Sequence, residues 1–289
     1  MFRSRVAGAP ISWGVCEAPG WGYQLPAERV LSEMRAIGLS ATEFGPVGFL
    51  AQDPGARAKQ LQSAGLSAVG GFLPVVLHDP ARDPLPEVDR FVDDCLAAQA
   101  DVVVLAAASG DDGYDARPVL DDSGWQMLLS NLDRIDDHTR SRGLTASMHP
   151  HVGTMVEQRA EVERVLSGSG IGICVDTGHL ALGGYDAVDL VADHAERVTH
   201  VHLKDVDLAM AAHLGDGGSS FTDGVRAGLF KPLGQGDIDI VTLVKELEHR
   251  GYRGWYVLEQ DVMLDGDPSG AGPVTNVRES LDFLLGTVA

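Results

Sequence analysis

The sequence has few cysteines, few basic residues and no long apolar run, and each shortage excludes a class of protein. The three cysteines, Cys16, Cys95 and Cys174, lie far apart and are odd in number. This argues against a disulfide framework and makes a reducing cytoplasm the expected compartment. No run of about 18 apolar residues is present, so we expect no membrane-spanning helix. The first residues lack the apolar core of a signal peptide, and we expect no secretory leader.

The shortage of positive charge bears on possible partners. Lys and Arg total 22 against 42 Asp and Glu, which gives a formal net charge of -20 at pH 7. Such a surface repels phosphate backbones and lacks the basic stripe that nucleic-acid binding needs. We therefore expect no nucleic-acid or membrane partner, and the acidic surface is compatible with an enzyme that acts on a neutral small molecule.

Short β-rich runs alternate with amphipathic segments along the whole chain. The segments between the runs place apolar residues at helical spacing, and several of them end at a glycine just ahead of the next run. The predicted strands are 6–15, 40–44, 67–77, 101–108, 144–149, 170–176, 198–204 and 254–259. The predicted helices are 26–37, 55–64, 85–98, 123–141, 159–166, 187–195, 240–250 and 274–285.

Eight strand–helix units indicate an α/β fold, a single (β/α)8 TIM barrel that forms one domain over residues 1–289. The alternative is an open doubly wound sheet, but no GxGxxG motif follows the first strand. One loop is unusually long, residues 206–236 after the seventh strand. Structureless loops beyond about 12–15 residues are usually functional or disordered, so we expect short helices in this loop and a role as a lid.

Ionisable residues collect at the ends of the predicted strands, where the active sites of such barrels lie. Strand two ends at Glu43, strand five at His149, strand six at Asp176, strand seven at His202 and strand eight at Glu259. An unpaired charge buried there would be costly, and converging residues can share that cost by binding one cation. Imidazoles together with carboxylates favour Mn, Co, Fe, Zn or Ni over Ca.

Each of these residues also has a simpler interpretation. A lone histidine at a strand end commonly makes a local hydrogen bond, and we expect this of His200, one layer deeper in the barrel than His202. Asp176 alone could cap the next helix, and Glu259 alone could be a solvated charge. Four such residues at successive strand ends favour the metal site. Trp13, at the end of strand one, suits the core as well as a substrate platform.

Three motifs resemble the xylose isomerase-like TIM-barrel superfamily of sugar isomerases, epimerases and related lyases: DTGH (176–179), HVHLKD (200–205) and GYRGWYVLEQD (251–261). The resemblance covers essentially the whole chain. It implies one divalent metal held by a Glu, an Asp, a His and a Glu from strands five to eight. By position three of these are Asp176, His202 and Glu259, while His149 stands where most relatives have the first glutamate.

A set of longer motifs is similar to the inosose dehydratase branch of this superfamily: APISWG (9–14), ATEFGPVGF (41–49), HPHVGT (149–154), DTGHLALGG (176–184), HVHLKDV (200–206) and SFTDGVRAGLFKPLGQGDIDI (220–240). This resemblance implies a metal-dependent hydro-lyase of inositol catabolism that dehydrates a cyclic ketosugar, such as 2-keto-myo-inositol, through an enolate intermediate. We expect manganese or cobalt as the metal, with zinc, iron, nickel or magnesium as alternatives. The same resemblance implies a polyol or ketosugar as the substrate. Because members of the superfamily often form dimers or tetramers, a homo-oligomer is a further expectation.

Dehydration needs one base for the proton α to the ketone and one acid for the departing β-hydroxyl. We expect Lys204, His179 and Glu259 to move these protons, with Lys204 acting either as a neutral base or as a charged stabiliser of the enolate. A metal-bound His149 has no lone pair free for a proton, which weakens the symmetric exchange between two glutamates that epimerases use.

Substrate contacts are expected from Trp13 and from a set of polar residues, Glu43, His151, Asp205 and Arg226, although a surface role is the stronger interpretation of Arg226.

Three other functions are weighed against the dehydratase. A metal-dependent sugar isomerase or epimerase acting on a ketose is favoured if Glu157 swings in to replace the missing strand-five glutamate. A DNA-repair endonuclease shares the barrel but uses three metals, and the net charge of -20 argues against it. A non-catalytic binding protein would have lost metal ligands, whereas the set here looks complete.

Overall fold

Nine parallel strands form one sheet in the computed structural model of the chain, which describes residues 2–214 and 218–288. These strands are β1 (Val6–Gly8), β2 (Ala41–Thr42), β3 (Ser67–Ala68), β4 (Gly70–Val75), β5 (Val102–Ala107), β6 (Thr145–Met148), β7 (Gly172–Asp176), β8 (Val198–Leu203) and β11 (Tyr256–Leu258). Two short strands, β9 (Asp205–Val206) and β10 (Phe230–Lys231), form a separate antiparallel pair.

Helices lie between the strands. They are α1 (Ala27–Ala36), α2 (Pro54–Ala64), α3 (Leu85–Ala98), α4 (Asp122–Ser141), α5 (Arg159–Gly168), α6 (Thr177–Leu182), α7 (Ala187–His194), α8 (Leu208–Ala211), α9 (Phe221–Arg226), α10 (Ile240–His249) and α11 (Val274–Val288). Short 3₁₀ helices cover Phe2–Arg5, Pro10–Trp13 and Ala195–Arg197. Among the described residues, no helix is long and apolar enough to cross a membrane.

The sheet closes into a barrel through residues 67–75. Strand β3 pairs with β2, and β4 pairs with β5 at the other end of the strand order. Only Val69 separates β3 from β4, and it joins both neighbours: its N–H donates to Thr42 (3.0 Å), and its carbonyl accepts from Val102 (3.3 Å). Since β3 and β4 together form one continuous strand of the barrel, the barrel has eight strands. The predicted (β/α)8 fold is therefore confirmed.

The main core lies between the sheet and the helices, whereas smaller apolar clusters fill the inside of the barrel. Val6 belongs to the core against the helices. The neighbouring Ala7 belongs to a cluster with Ala41 and Val257, because successive side chains of a strand point to opposite faces. Small residues pack inside, and the polar residues are concentrated where the strands end.

The first predicted strand is too long, and this changes the interpretation of Trp13. Strand β1 ends at Gly8, and Pro10 begins a 3₁₀ helix that ends at Trp13 and is capped by Gly14 in the left-handed conformation (φ 79°). The turn buries Trp13 completely, and its Nε1 donates to Glu33 Oε2 at 2.8 Å. Trp13 is therefore a core residue, and its position does not support the predicted substrate platform.

The long loop after β8 contains the short helices expected of it, α8 and α9, together with strands β9 and β10. Residues 215–217 of this loop lie outside the described part of the chain. The N–H of Thr222 donates to Asp115 Oδ1 at 3.0 Å, which ties α9 to the loop that follows β5. The predicted role as a lid stays a prediction.

Gly70 provides a stability test of barrel closure. Its φ is 141°, and a Cβ at this position would collide with the carbonyl of Val102. We expect Gly70→Ala to lower the free energy of unfolding by about 3 kcal/mol or more, because strands β4 and β5 would have to separate. Gly143→Ala, at φ 82° with open space around it, should cost only about 1–2 kcal/mol. Urea unfolding measures both, and equal losses would contradict this account of closure.

Candidate metal centre

Four side chains meet at the carboxyl edge of the barrel. His149 follows β6, Asp176 ends β7, His202 lies near the end of β8, and Glu259 follows β11. Asp176 pairs directly with His202 in the sheet register. One donor atom from each of the four residues lies within 4.8 Å of the other three. Parallel strands bring their carboxyl ends to one edge, and this explains how residues so distant in sequence come together.

The nitrogen and oxygen atoms of these four residues face one another closely. His149 Nε2 lies 3.3 Å from Asp176 Oδ2. His202 Nδ1 lies 3.0 Å from Glu259 Oε2 and 3.6 Å from Asp176 Oδ2. Nevertheless, His202 Nδ1 is buried and makes no hydrogen bond of acceptable geometry. A cation between these groups would satisfy that nitrogen and both carboxylates, so the residues present fit a divalent metal.

The electrostatics of the site also favour positive charge. Burial alone would raise the pKa of Asp176, but the nearby Lys204 ammonium holds it well below its ordinary value. Burial alone would lower the pKa of Lys204, but Asp176, Asp261 and Glu259 raise it well above its ordinary value. Burial lowers the pKa of His149, which keeps the ring in the neutral form that metal ligands need. The site therefore combines ionised carboxylates with a neutral imidazole.

Lys204 is completely buried and surrounded by acceptors. Its Nζ lies 2.9 Å from Asp261 Oδ1, 3.0 Å from Glu259 Oε2 and 3.4 Å from Asp176 Oδ2. It also lies 3.0 Å from His179 Nε2. A lysine ammonium has three N–H donors, whereas a neutral amine has two. Because Nζ is surrounded by acceptors, these neighbours favour the charged form. Of the two roles expected for Lys204, the geometry supports the charged one.

Asp261 is the site residue that sequence reasoning missed. It is buried, lines the same cavity as Glu259, and pairs with Lys204. Burial raises the pKa of Asp261 to about 6. Its position two residues after Glu259 was the available signal, because residues two apart in extended chain point the same way.

His179 lies behind Lys204 rather than at the cavity. Its ring is buried against His151, with the two ring centroids 3.8 Å apart. Burial lowers its pKa well below the ordinary value, so the ring is neutral and accepts from the Lys204 ammonium. It does not line the cavity. The geometry therefore supports a role through Lys204 and not the predicted direct proton transfer.

A cavity of about 660 Å³ opens above the cluster. His149, His202, Lys204, Glu259 and Asp261 contribute to its lining, and aromatic rings form part of its wall: Phe72, Tyr114, His151 and Phe221. Its size is within the range of about 300–1,000 Å³ that is usual for small-molecule sites.

Among the predicted substrate contacts, His151 lines this cavity and keeps one ring nitrogen free to bind a substrate. It is largely buried, and its Nδ1 donates to the carbonyl of Val152 at 2.7 Å. Burial lowers its pKa to about 3, which keeps the ring neutral. A neutral ring that donates through Nδ1 leaves Nε2 as an acceptor for a hydroxyl group.

Two other predicted substrate contacts lie elsewhere. Asp205 is fully buried and does not line the cavity; its carboxylate accepts from the N–H groups of Val206, Gly234, Gly236 and Ile238 at 2.8–3.0 Å. Asp205 therefore fixes the loop ahead of α10, and its position does not support the predicted contact with the substrate. Arg226 is exposed and pairs with Asp223 at 3.2 Å, as its surface interpretation indicated.

Two glutamates also differ from expectation. Glu43 borders the cavity but is 3% exposed, and its Oε1 accepts from both His200 and His202 at 2.9 Å. Its carboxylate is thus engaged with histidines rather than free for sugar hydroxyls, while His200 makes the hydrogen bond expected of it. Glu157 pairs with Arg117 at 3.0 Å and accepts from the N–H of Gly153. It therefore does not replace the glutamate that the resemblance implies at the end of predicted strand five, which is β6 in the structure and is followed by His149.

Comparison with known proteins identifies the family of this chain. The sequence model of the xylose isomerase-like TIM barrel family matches residues 31–286, and the chain belongs to this family. It is 34% identical to the rhizopine catabolism protein MocC of Rhizobium meliloti, over 96% of this chain and 86% of that protein. It is 28% identical to the inosose dehydratase of Geobacillus thermodenitrificans, over 99% of both. The chain is an enzyme of this family, similar to inosose dehydratases.

A solved structure shares the fold at low identity. The IOLI protein, whose structure contains a bound zinc atom, superposes with a TM-score of 0.69 at 12% identity, over 98% of each chain. At this identity the likeness describes the barrel alone.

The loop role of Asp205 is tested by Asp205→Asn. Each carboxylate oxygen accepts two N–H groups, and the amide of asparagine would turn its own N–H groups towards two of them. We expect the free energy of unfolding to fall by about 3 kcal/mol. The exposed Asp223→Asn is the control and should change it by less than about 0.5 kcal/mol. Urea unfolding that gave D205N the stability of D223N would contradict the assignment.

Proposed function

We propose that this enzyme is a metal-dependent hydro-lyase that dehydrates a cyclic ketosugar of the inosose class. The observation that carries the proposal is the Lys204–Glu259 contact, 3.0 Å long, at the edge of a four-residue metal cluster. Full-length similarity to a protein named inosose dehydratase supports the substrate class. A cavity of about 660 Å³ accommodates a six-membered ring with its hydroxyl groups.

The proposed metal ligands are His149, Asp176, His202 and Glu259. Two imidazoles and two carboxylates suit manganese, cobalt, zinc, iron or nickel. When bound, a divalent ion polarises a ketone carbonyl and makes the neighbouring C–H more acidic.

The chain's own residues can close the proton cycle. Glu259 takes the proton α to the ketone, the C–H electron pair forms the new C=C bond, and the β C–O bond breaks. The departing hydroxyl takes a proton from the Lys204 ammonium and leaves as water. Glu259 then returns its proton to Lys204 across the 3.0 Å contact. Substrate becomes enone plus water, and the enzyme recovers both protonation states.

The geometry around Lys204 suits this role. Asp261 and His179 hold its Nζ at 2.9 and 3.0 Å, so the ammonium keeps its position beside Glu259 at the cavity. Its positive charge also stabilises the negative charge that develops on the substrate as the α proton leaves. His151, on the cavity wall, is proposed to contact a substrate hydroxyl.

Dehydration fits this site better than epimerisation. Inverting a carbon beside a ketone needs a proton-transfer group on each face of the intermediate. Glu259 can serve one face, but the cluster holds a histidine, His149, at the strand end where the resemblance implies a second glutamate. Glu157, which could have replaced a second base, is held by Arg117.

Metal analysis tests the proposed ligand set. Purified protein should contain about one divalent ion per chain, and His202→Ala should lose it, because two carboxylates would keep only one imidazole partner. The exposed His249→Ala is the control and should retain the ion. Inductively coupled plasma mass spectrometry gives the stoichiometry. Full metal occupancy in H202A would contradict the proposed ligand set.

Substrate turnover tests the reaction. Incubation with 2-keto-myo-inositol should give the ultraviolet absorbance of a conjugated enone product. Lys204→Met should lower kcat about 10²–10⁴-fold, the usual contribution of a positioned acid or base. Lys245→Met, an exposed lysine on α10, should leave kcat unchanged. Epimerisation of a free ketohexose without turnover of the inosose would instead identify an epimerase.

A further inference from the structure

Glu43 lies within hydrogen-bonding distance of His202, a proposed metal ligand. It follows β2, is 3% exposed, and its Oε1 accepts hydrogen bonds from the Nε2 atoms of His202 and His200, both at 2.9 Å. The two histidines come from β8, on the opposite side of β1 and β11 in the strand order. The contacts therefore cross the inside of the barrel.

The two ring nitrogens of His202 have different surroundings. Nε2 faces the Glu43 carboxylate, whereas Nδ1 lies 3.0 Å from Glu259 and makes no hydrogen bond. A neutral imidazole carries one N–H. A metal at the cluster would take the lone pair of Nδ1, and because a carboxylate only accepts, the one remaining N–H would then lie on Nε2 and donate to Glu43. This is the tautomer that a metal at the cluster requires.

His200 completes the arrangement from below. It is fully buried, and its hydrogen bond to Glu43 is the one that its ring makes, since its Nδ1 has no partner in the described part of the chain. A buried carboxylate is costly unless it is hydrogen-bonded or paired. The second donor fixes the position of the oxygen that His202 uses.

We propose that Glu43 is a positioning residue of the metal centre, which orients His202 and fixes its tautomer, with His200 holding Glu43 in place. The inference rests on the proposed metal site. Carboxylates behind metal-bound histidines raise ligand basicity and fix ring orientation, and their loss usually lowers metal affinity 10–100-fold. Glu43 would thus act on the metal without touching it or the substrate.

The test compares Glu43→Gln with Asp205→Asn. Both variants remove one buried carboxylate charge, but Asp205 serves the loop ahead of α10 and not the cluster. Zn²⁺ and Mn²⁺ affinities are measured by chelator competition, and the visible absorption of bound Co²⁺ reports the ligand field. We expect E43Q to bind metal about 10–100-fold more weakly, with one ion per chain at saturation and shifted Co²⁺ bands. D205N should keep the affinity and spectrum of the unmodified protein despite its lower stability.

Three results would overturn the inference. Unchanged affinity and an unchanged Co²⁺ spectrum in E43Q would show that Glu43 does not act on the metal. Two ions in the unmodified protein and one in E43Q would make Glu43 a ligand of a second ion. Unchanged metal affinity in His202→Ala would remove the proposed centre itself, and a failure of that kind is separate from a failure of Glu43 alone.

Discussion

Four carboxylates buried at one edge of a barrel constrain the rest of this structure. Asp176, Glu259, Asp261 and Glu43 all lie where water is largely excluded. Ionised carboxylates in such a place need cations or N–H donors, because uncompensated burial is costly. Lys204 and three histidines, His149, His200 and His202, meet part of that need. A divalent ion at the proposed ligands would meet the remainder.

The parallel barrel is what imposes this crowding. Strands β2, β6, β7, β8 and β11 each place a polar residue at or next to their carboxyl end, and small apolar side chains fill the barrel below them. The loop after β8 supports the arrangement from above. Asp205 binds four backbone N–H groups of that loop, and Phe221 from α9 packs near His151 and His179. Stability and chemistry thus depend on neighbouring residues of one motif, with Asp205 serving the loop and Lys204 the cavity.

The strand–helix units and the polar residues that follow the strands could be predicted from the sequence because both leave local signals. Periodicity and glycine stops located the strand–helix units, and the convergence of His149, Asp176, His202 and Glu259 followed from the barrel. The partners of Glu43 and Asp205 could not be predicted in this way. Alternation indicates the face of a strand but not which residue across the barrel lies within 3 Å. Trp13 differed from expectation because Pro10 and Gly14 end the first strand early.

A direct measurement of the central claim is anomalous diffraction from crystals of the protein grown with Mn²⁺ or Co²⁺. We expect one anomalous peak per chain, with His149, Asp176, His202 and Glu259 as its protein ligands and Glu43 outside the coordination sphere. A peak at other residues, or a site that His149 does not contact, would contradict it.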